Sequence, residues 1–275
     1  MLKKCLYHLL VFTAVTAVAI TITGCEKKSS VSGCKNPLAT NYNSAADDDD
    51  PCSCRFDGID QQCGITNPSA LIVPPVRQET AEWCWLAVGE MIFRYYQLPN
   101  LNPAGDYQCG IVGSVGYSLN GACDACNTNC ANCVRPAGNA QMVSYMLSAY
   151  PKVACRQLFQ SNKTLNSQFV ANYLAASTII AELNAKRPII AGINPGTQFI
   201  LPGNSEHVSL IVGYFYYGSN LILVVNDPFP YLITGFDPYI FNGAVTSGNL
   251  SYQIPYFNFV NGLKWNTSWY SIGFQ

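Results

Sequence analysis

Gln78-Glu79-Thr80-Ala81-Glu82-Trp83-Cys84-Trp85-Leu86-Ala87-Val88-Gly89-Glu90-Met91-Ile92-Phe93-Arg94-Tyr95-Tyr96 is the stretch from which the fold is read. Between Trp83 and Tyr96 only Gly89 interrupts the helix-competent residues. Ala87, Val88, Met91, Ile92 and Tyr95 recur at steps of three and four, the stripe of a helix buried on one side. Cys84 therefore sits in the first turn. There the unpaired backbone N–H groups and the positive end of the helix favour thiolate over thiol. Six residues upstream, Gln78 carries a side-chain amide able to donate to an oxyanion beside the Cys84 backbone N–H.

Downstream, the Gly-, Asn- and Cys-rich run from Leu98 to Asn139 reads as a loop, and Ala140 to Tyr150 as a helix stopped by Pro151. Ser177 or Thr178 is expected to cap a helix carrying Ile179, Ile180 and Leu183. That helix ends at Arg187-Pro188 and passes into a strand, Ile189 to Ile193. His207 to Tyr217 and Leu221 to Asn226 are strands separated by Gly218-Ser219-Asn220. Helices come first and antiparallel strands second, which predicts an α+β fold. Upstream, Leu71-Ile72-Val73-Pro74-Pro75-Val76 marks an extended start to a main domain of residues 71–275.

The residues before that domain read differently. Lys3 and Lys4 precede an apolar run, Leu6 to Ile22, and then Thr23-Gly24-Cys25, so residues 1–24 are expected to be a cleaved export signal that leaves Cys25 acylated. Residues 25–32 form a polar tether, and 33–70 a small Cys-rich module. Its Gly33-Cys34, Asn41-Tyr42-Asn43, Asp47 to Asp50 and Cys52 resemble a short repeat of exported bacterial proteins. A Cys34–Cys52 disulfide would stabilise it by about 3 kcal/mol on chain entropy. The Asp run is read as a solvated acidic turn rather than a calcium loop, because consecutive carboxylates lack the alternating spacing of such loops.

Composition narrows the function. The chain has 275 residues, 11% charged and 49% hydrophobic, enough to bury a sizeable core. Without residues 1–24, 13 of the 15 basic residues face all 16 acidic ones, so no basic field invites nucleic acid. Of the 13 cysteines, Cys5 falls in the signal, Cys25 takes the lipid and Cys84 is the candidate nucleophile. Ten remain as disulfide candidates: Cys34, Cys52, Cys54, Cys63, Cys109, Cys123, Cys126, Cys130, Cys133 and Cys155. The two C-x-x-C pairs between Cys123 and Cys133 would suit zinc in a reducing cytosol; export favours oxidised pairs instead. The aromatic tail, Tyr252 to Tyr270, is assigned to core and edge packing rather than to a carbohydrate platform.

The chain has two histidines, and His8 lies in the signal, so His207 is the one imidazole left to the mature protein. It opens a strand far from Cys84 in sequence, and tertiary folding alone can join the two across a cleft between a helical half and a sheet half. At the end of the following strand, Asn226 and Asp227 compete to orient the imidazole, since adjacent strand residues point to opposite faces. Asp227 is preferred because its charge would also stabilise imidazolium.

In this ordered set, Gln78 with Trp83-Cys84-Trp85 and Ala87, then Ile180-Ala181-Glu182-Leu183 with Arg187-Pro188, then His207-Val208 with Val212-Gly213-Tyr214, then Val225-Asn226-Asp227-Pro228, the chain resembles bacterial papain-like cysteine peptidases. That group includes the cysteine effector protease of plant-pathogenic bacteria and is related to the bacteriocin-leader peptidases. The resemblance implies a papain-like fold, a Cys84, His207 and Asp227 triad, Gln78 at the oxyanion hole, a peptide or protein substrate, and no cofactor or metal. Glu206 stands where many relatives carry Gly. The expected protein is a monomeric thiol peptidase of the cell envelope, held to the membrane through its N-terminal lipid alone. Two rival readings are a transglutaminase-like acyl transferase, which uses the same residue order, and a surface-binding lipoprotein retaining a dead fold.

Overall fold

The computed structural model describes residues 31–33, 42–49, 65–115, 138–159, 164–196, 205–231, 235–248 and 250–274. The expected export signal, Cys25, and eight of the ten disulfide candidates (Cys34, Cys52, Cys54, Cys63, Cys123, Cys126, Cys130 and Cys133) lie outside them. The side chain of Cys155 does as well. Near the N-terminus, β1 (Ser32–Gly33) pairs in parallel with β2 (Asp48–Asp49). Asp47 clasps the two together: its carboxylate accepts the Val31 N–H at 3.2 Å while its own N–H donates to the Val31 carbonyl at 2.8 Å. The acidic turn thus supports local backbone.

The main body is an α+β fold in which helices pack on an eight-stranded sheet of order β4-β10-β5-β6-β7-β9-β8, with β3 pairing to β6 outside that path. Its centre is the run β5 (Ile189–Ile193), β6 (His207–Tyr217) and β7 (Asn220–Asn226), where the sequence expects strands. All five residues of β5 and the first eight of β6 are buried. This explains their unbroken apolar character, since both sheet faces are covered. The β6–β7 hairpin turns through Gly218, whose φ of 60° suits a residue without Cβ. On the flanks lie β4 (Leu165–Val170), β8 (Val245–Gly248), β9 (Ser251–Pro255) and β10 (Thr267–Phe274). Tyr252, Phe259, Trp265 and Trp269 are buried and Phe257 is exposed, so most of the aromatic tail does pack in the core.

The sheet also takes a strand from upstream of Leu71. β3 (Ile65–Ala70) continues the edge where β5 stops, pairing Ala70 with Gly213 and Ile65 with Tyr217. The prolines after Leu71 therefore mark the exit from a strand and not the first residues of the domain.

On the helical side, α1 (Cys84–Tyr95) forms as expected and buries every residue from Trp85 to Phe93. It lies against β6 and two further helices. Gly89 is needed there, because a Cβ would come within 2.5 Å of the Met146 sulfur. Three expectations are corrected. The presumed loop holds α2 (Tyr107–Val115): Asp106 starts it by accepting the Cys109 N–H at 3.1 Å, and burial of Tyr107, Cys109, Ile111 and Val112 outweighs the low propensity of its glycines. The helix from Ala140 does not stop at Pro151 but runs to Phe159 as α3. Proline forfeits one backbone hydrogen bond, yet Ala154 beyond it is fully buried. Finally, α4 (Ala176–Asn184) begins after Ala175 with no side-chain cap, so neither Ser177 nor Thr178 caps it. Its exit is locked instead by Arg187, which donates to Glu182 at 2.7 and 2.9 Å while Glu182 also accepts the Ser271 N–H of β10.

Candidate active site

Two walls meet in a cleft of about 270 Å³. The helical wall contributes Cys84 from the first turn of α1 and Gly138 with the start of α3; the sheet wall contributes Glu206 and His207 from the start of β6 and Trp269 from β10. Cys84 is a free, half-buried thiol at the first position of its helix. Its neighbours Trp83 and Trp85 are both 1% exposed, so they fix the helix start while the sulfur between them stays accessible. Cys84 and His207 line this cleft together, close enough to interact electrostatically.

His207 is tied on its other side. Its Nε2 lies 2.7 Å from Asp227 Oδ1, which leaves Nδ1 as the ring atom for the thiol. Asp227 follows the last residue of β7 and is wholly buried. A buried carboxylate demands partners, and Asp227 has three: His207, the Phe229 N–H at 2.8 Å, and the Tyr239 hydroxyl at 2.8 Å. Tyr239 belongs to the short helix α5 (Pro238–Phe241), whose start Asp237 caps. It stacks on Tyr252 at 4.1 Å, and the Tyr252 hydroxyl donates to Asp237 at 2.9 Å. Phe229 and Tyr231 approach the imidazole edge-on, each at 6.2 Å. The pair is therefore shielded from water on the side away from the cleft.

The electrostatics follow. Burial alone would hold His207 neutral, but the charge and hydrogen bond of Asp227, with the Cys84 contact, override it and lift the imidazole to about 10. Imidazolium is the resting form at neutral pH. Burial first and then Asp227 push the Tyr239 hydroxyl well above its ordinary range, so it remains a donor.

The rival orienter points elsewhere: Asn226 donates to the Val73 carbonyl at 2.7 Å and is buried. It straps β7 to the segment leading into the site. Gln78 lies near the pair, its N–H donating to the Pro228 carbonyl at 3.0 Å. Its side-chain amide, however, turns into its own loop, donating to the carbonyls of Thr80 and Ala81 at 2.8 and 2.9 Å. Among the described residues its Oε1 is buried without a partner.

Sequence reasoning did not find Tyr239, Phe229 or Tyr231. No local pattern marks them, because their roles arise from the β7–α5 connection folding back over Asp227. Cys109 is disulfide-bonded. Glu79, Asp106 and Cys109 gather within 4.8 Å, but a disulfide sulfur is not a thiolate ligand, so this cluster lacks the soft donor a metal would use.

Residues 70–236, more than half of the chain and including Cys84, His207 and Asp227, match the family described as Peptidase_C39 like family. No curated protein matches the chain.

Proposed function

The chain belongs to the Peptidase_C39 like family of cysteine peptidases, and from that premise we propose that Cys84, His207 and Asp227 hydrolyse a peptide bond through a thioester. The observation that carries this reading is a free thiol at a helix start, lining one cleft with an imidazole whose far nitrogen is held by a buried carboxylate. His207, already imidazolium, holds the thiol proton on Nδ1 before reaction, and the thiolate attacks the scissile carbonyl carbon. The new oxyanion is met by the Cys84 backbone N–H, which has no helical acceptor at this position. His207 returns the proton to the departing amine nitrogen, the C–N bond breaks, and the acyl group stays on sulfur. Water, deprotonated by His207, then releases the acid and restores the thiolate beside imidazolium. Asp227 holds the ring in place throughout.

Gln78 serves as the second oxyanion donor after its amide swings towards the cleft. The exchange is energetically modest. Two neutral hydrogen bonds of about 1 kcal/mol each are given up, one to a charged oxygen worth about 1.5–3 kcal/mol is gained, and a buried acceptor lacking any partner, itself a cost of about 1–3 kcal/mol, is released.

Around this domain, which takes in strand β3, we place a cleaved signal at 1–24, an acylated Cys25, a tether at 25–32 and a Cys-rich module from residue 33. The mature protein is then a monomer on the cell envelope with disulfides among its remaining cysteines and peptide or protein as substrate.

The test is labelling with a peptide epoxide that traps thiol peptidases. One equivalent should add to Cys84, and Cys84→Ala should take up none while keeping its circular-dichroism spectrum. A folded wild-type protein that takes up none would refute the reading. With peptide substrate, an added amine that competes with water for the acyl group would move the assignment to acyl transfer.

A further inference from the structure

We propose that Glu206 makes this cleft select a lysine or arginine side chain at one of the two substrate residues before the scissile bond, an inference that rests on the peptidase reading above. Three observations carry it.

The first is position. Glu206 precedes His207 and lines the same cleft as Cys84, so it stands at the wall of the space beside the nucleophile. The second is fixation. The Glu206 N–H donates to Asn194 Oδ1 at 2.8 Å, and Asn194 is itself buried, bonded through its own N–H to the Leu263 carbonyl at 2.9 Å and through its amide to the Lys264 carbonyl. The side chain rests beside Gly196, where a Cβ would stand 3.0 Å from Glu206 Oε2; the strand end leaves room for a carboxylate that a larger residue would displace. The third is charge. Among the described residues Glu206 has no ion pair, and the other cleft-lining groups are uncharged apart from the Cys84–His207 pair. Among the described residues Glu206 is the one acidic side chain lining the cleft.

Its remaining walls include Trp85, Val143, Val208 and Trp269. A cleft that offers both apolar walls and a carboxylate fits a side chain with an aliphatic stem and a cationic head, since the stem packs on the walls while the head meets the charge. A glutamate or aspartate side chain would be repelled, and a short neutral one would leave the carboxylate unmatched. Because Glu206 is exposed, solvent screens the pair and its worth is that of one partly shielded ion pair.

The experiment uses the full mature chain and peptide epoxides that differ only in carrying lysine, norleucine or glutamate at each of the two residues before the warhead. The readout is the second-order rate of Cys84 modification. At one of the two positions lysine should outpace norleucine by about two- to fivefold, the range of such ion pairs, with glutamate slowest, and the preference should shrink as salt is raised. Glu206→Gln should bring lysine and norleucine level, and Glu206→Lys should invert the order of lysine and glutamate. If Glu206→Gln keeps the wild-type lysine preference, or if lysine and norleucine react equally with wild type at both positions, Glu206 is not the selector while the peptidase reading stands. If no peptide epoxide reacts although iodoacetamide alkylates Cys84, the peptidase reading fails and this inference falls with it.

Discussion

The two walls of the cleft are built to different standards. On the sheet wall, His207 and Asp227 are locked by partners whose own partners are fixed: Phe229 N–H, Tyr239 and, behind it, Tyr252 and Asp237. On the helical wall, Cys84 rests on the placement of one helix start between two buried tryptophans, and the neighbouring donor Gln78 turns away into its own loop. The contrast follows the chemistry asked of each side. A charged, buried pair must be organised before reaction, since an unpaired charge in a dry site is costly. A nucleophile and an oxyanion donor must instead accommodate a carbonyl carbon that changes shape.

If that division holds, the largest effect of breaking it lies on the adaptable wall. Gln78→Ala should lower kcat by about 10²-fold, the cost of one oxyanion donor, and leave KM nearly unchanged, because the contact forms only in the transition state. Steady-state kinetics on a peptide substrate decides this. A variant with unaltered kcat would confine Gln78 to holding the loop through Thr80 and Ala81.

The rigid wall should show a smaller effect of a different kind. Tyr239→Phe removes one donor from Asp227 without emptying the space, so kcat/KM should fall by about tenfold as Asp227 loses part of its orientation. The informative readout is the pH profile. With one donor fewer, the Asp227 carboxylate holds the imidazolium more strongly, and the alkaline limb of kcat/KM should move to higher pH. Loss of packing alone would lower stability without moving that limb.

The same contrast governs what could be read in advance. β5, β6 and β7 were legible because continuous apolar strands between clear turns admit few alternatives, and α1 because its stripe repeats over three turns. Asp227 was separable from Asn226 only once the β6–β7 pairing was known, since register decides which of two neighbours faces His207. α2 was hidden because its glycines argue against helix and its disulfide and buried face argue for it, and the second argument is not local. Tyr239 was hidden more thoroughly: a tyrosine in a four-residue helix carries no signal of the carboxylate it will meet.

The smallest expected effect tests whether the adaptable wall has an electrostatic weak point. Glu79, next to Gln78, is held up at about 8 by burial, then by the hydrogen bond and charge of Asp106, with Glu90 adding to it. A carboxyl group whose pKa rises on folding takes up a proton in the native state. Its contribution to stability is full below its ordinary value of 4.5 and is lost as pH climbs through about 8. His207, raised from 6.5 to about 10, loses its contribution in the same direction over a later window. Melting temperature should therefore decline from pH 4.5 upward in two overlapping stages. Glu79→Gln should remove the earlier stage and spare the later one, by a modest amount because Glu79 stands exposed and solvent screens its neighbours. An unchanged decline between pH 5 and 8 in the variant would mean that Glu79 and Asp106 do not share a proton. The loop carrying Gln78 would then be soft for want of contacts, and not because two carboxylates push it open.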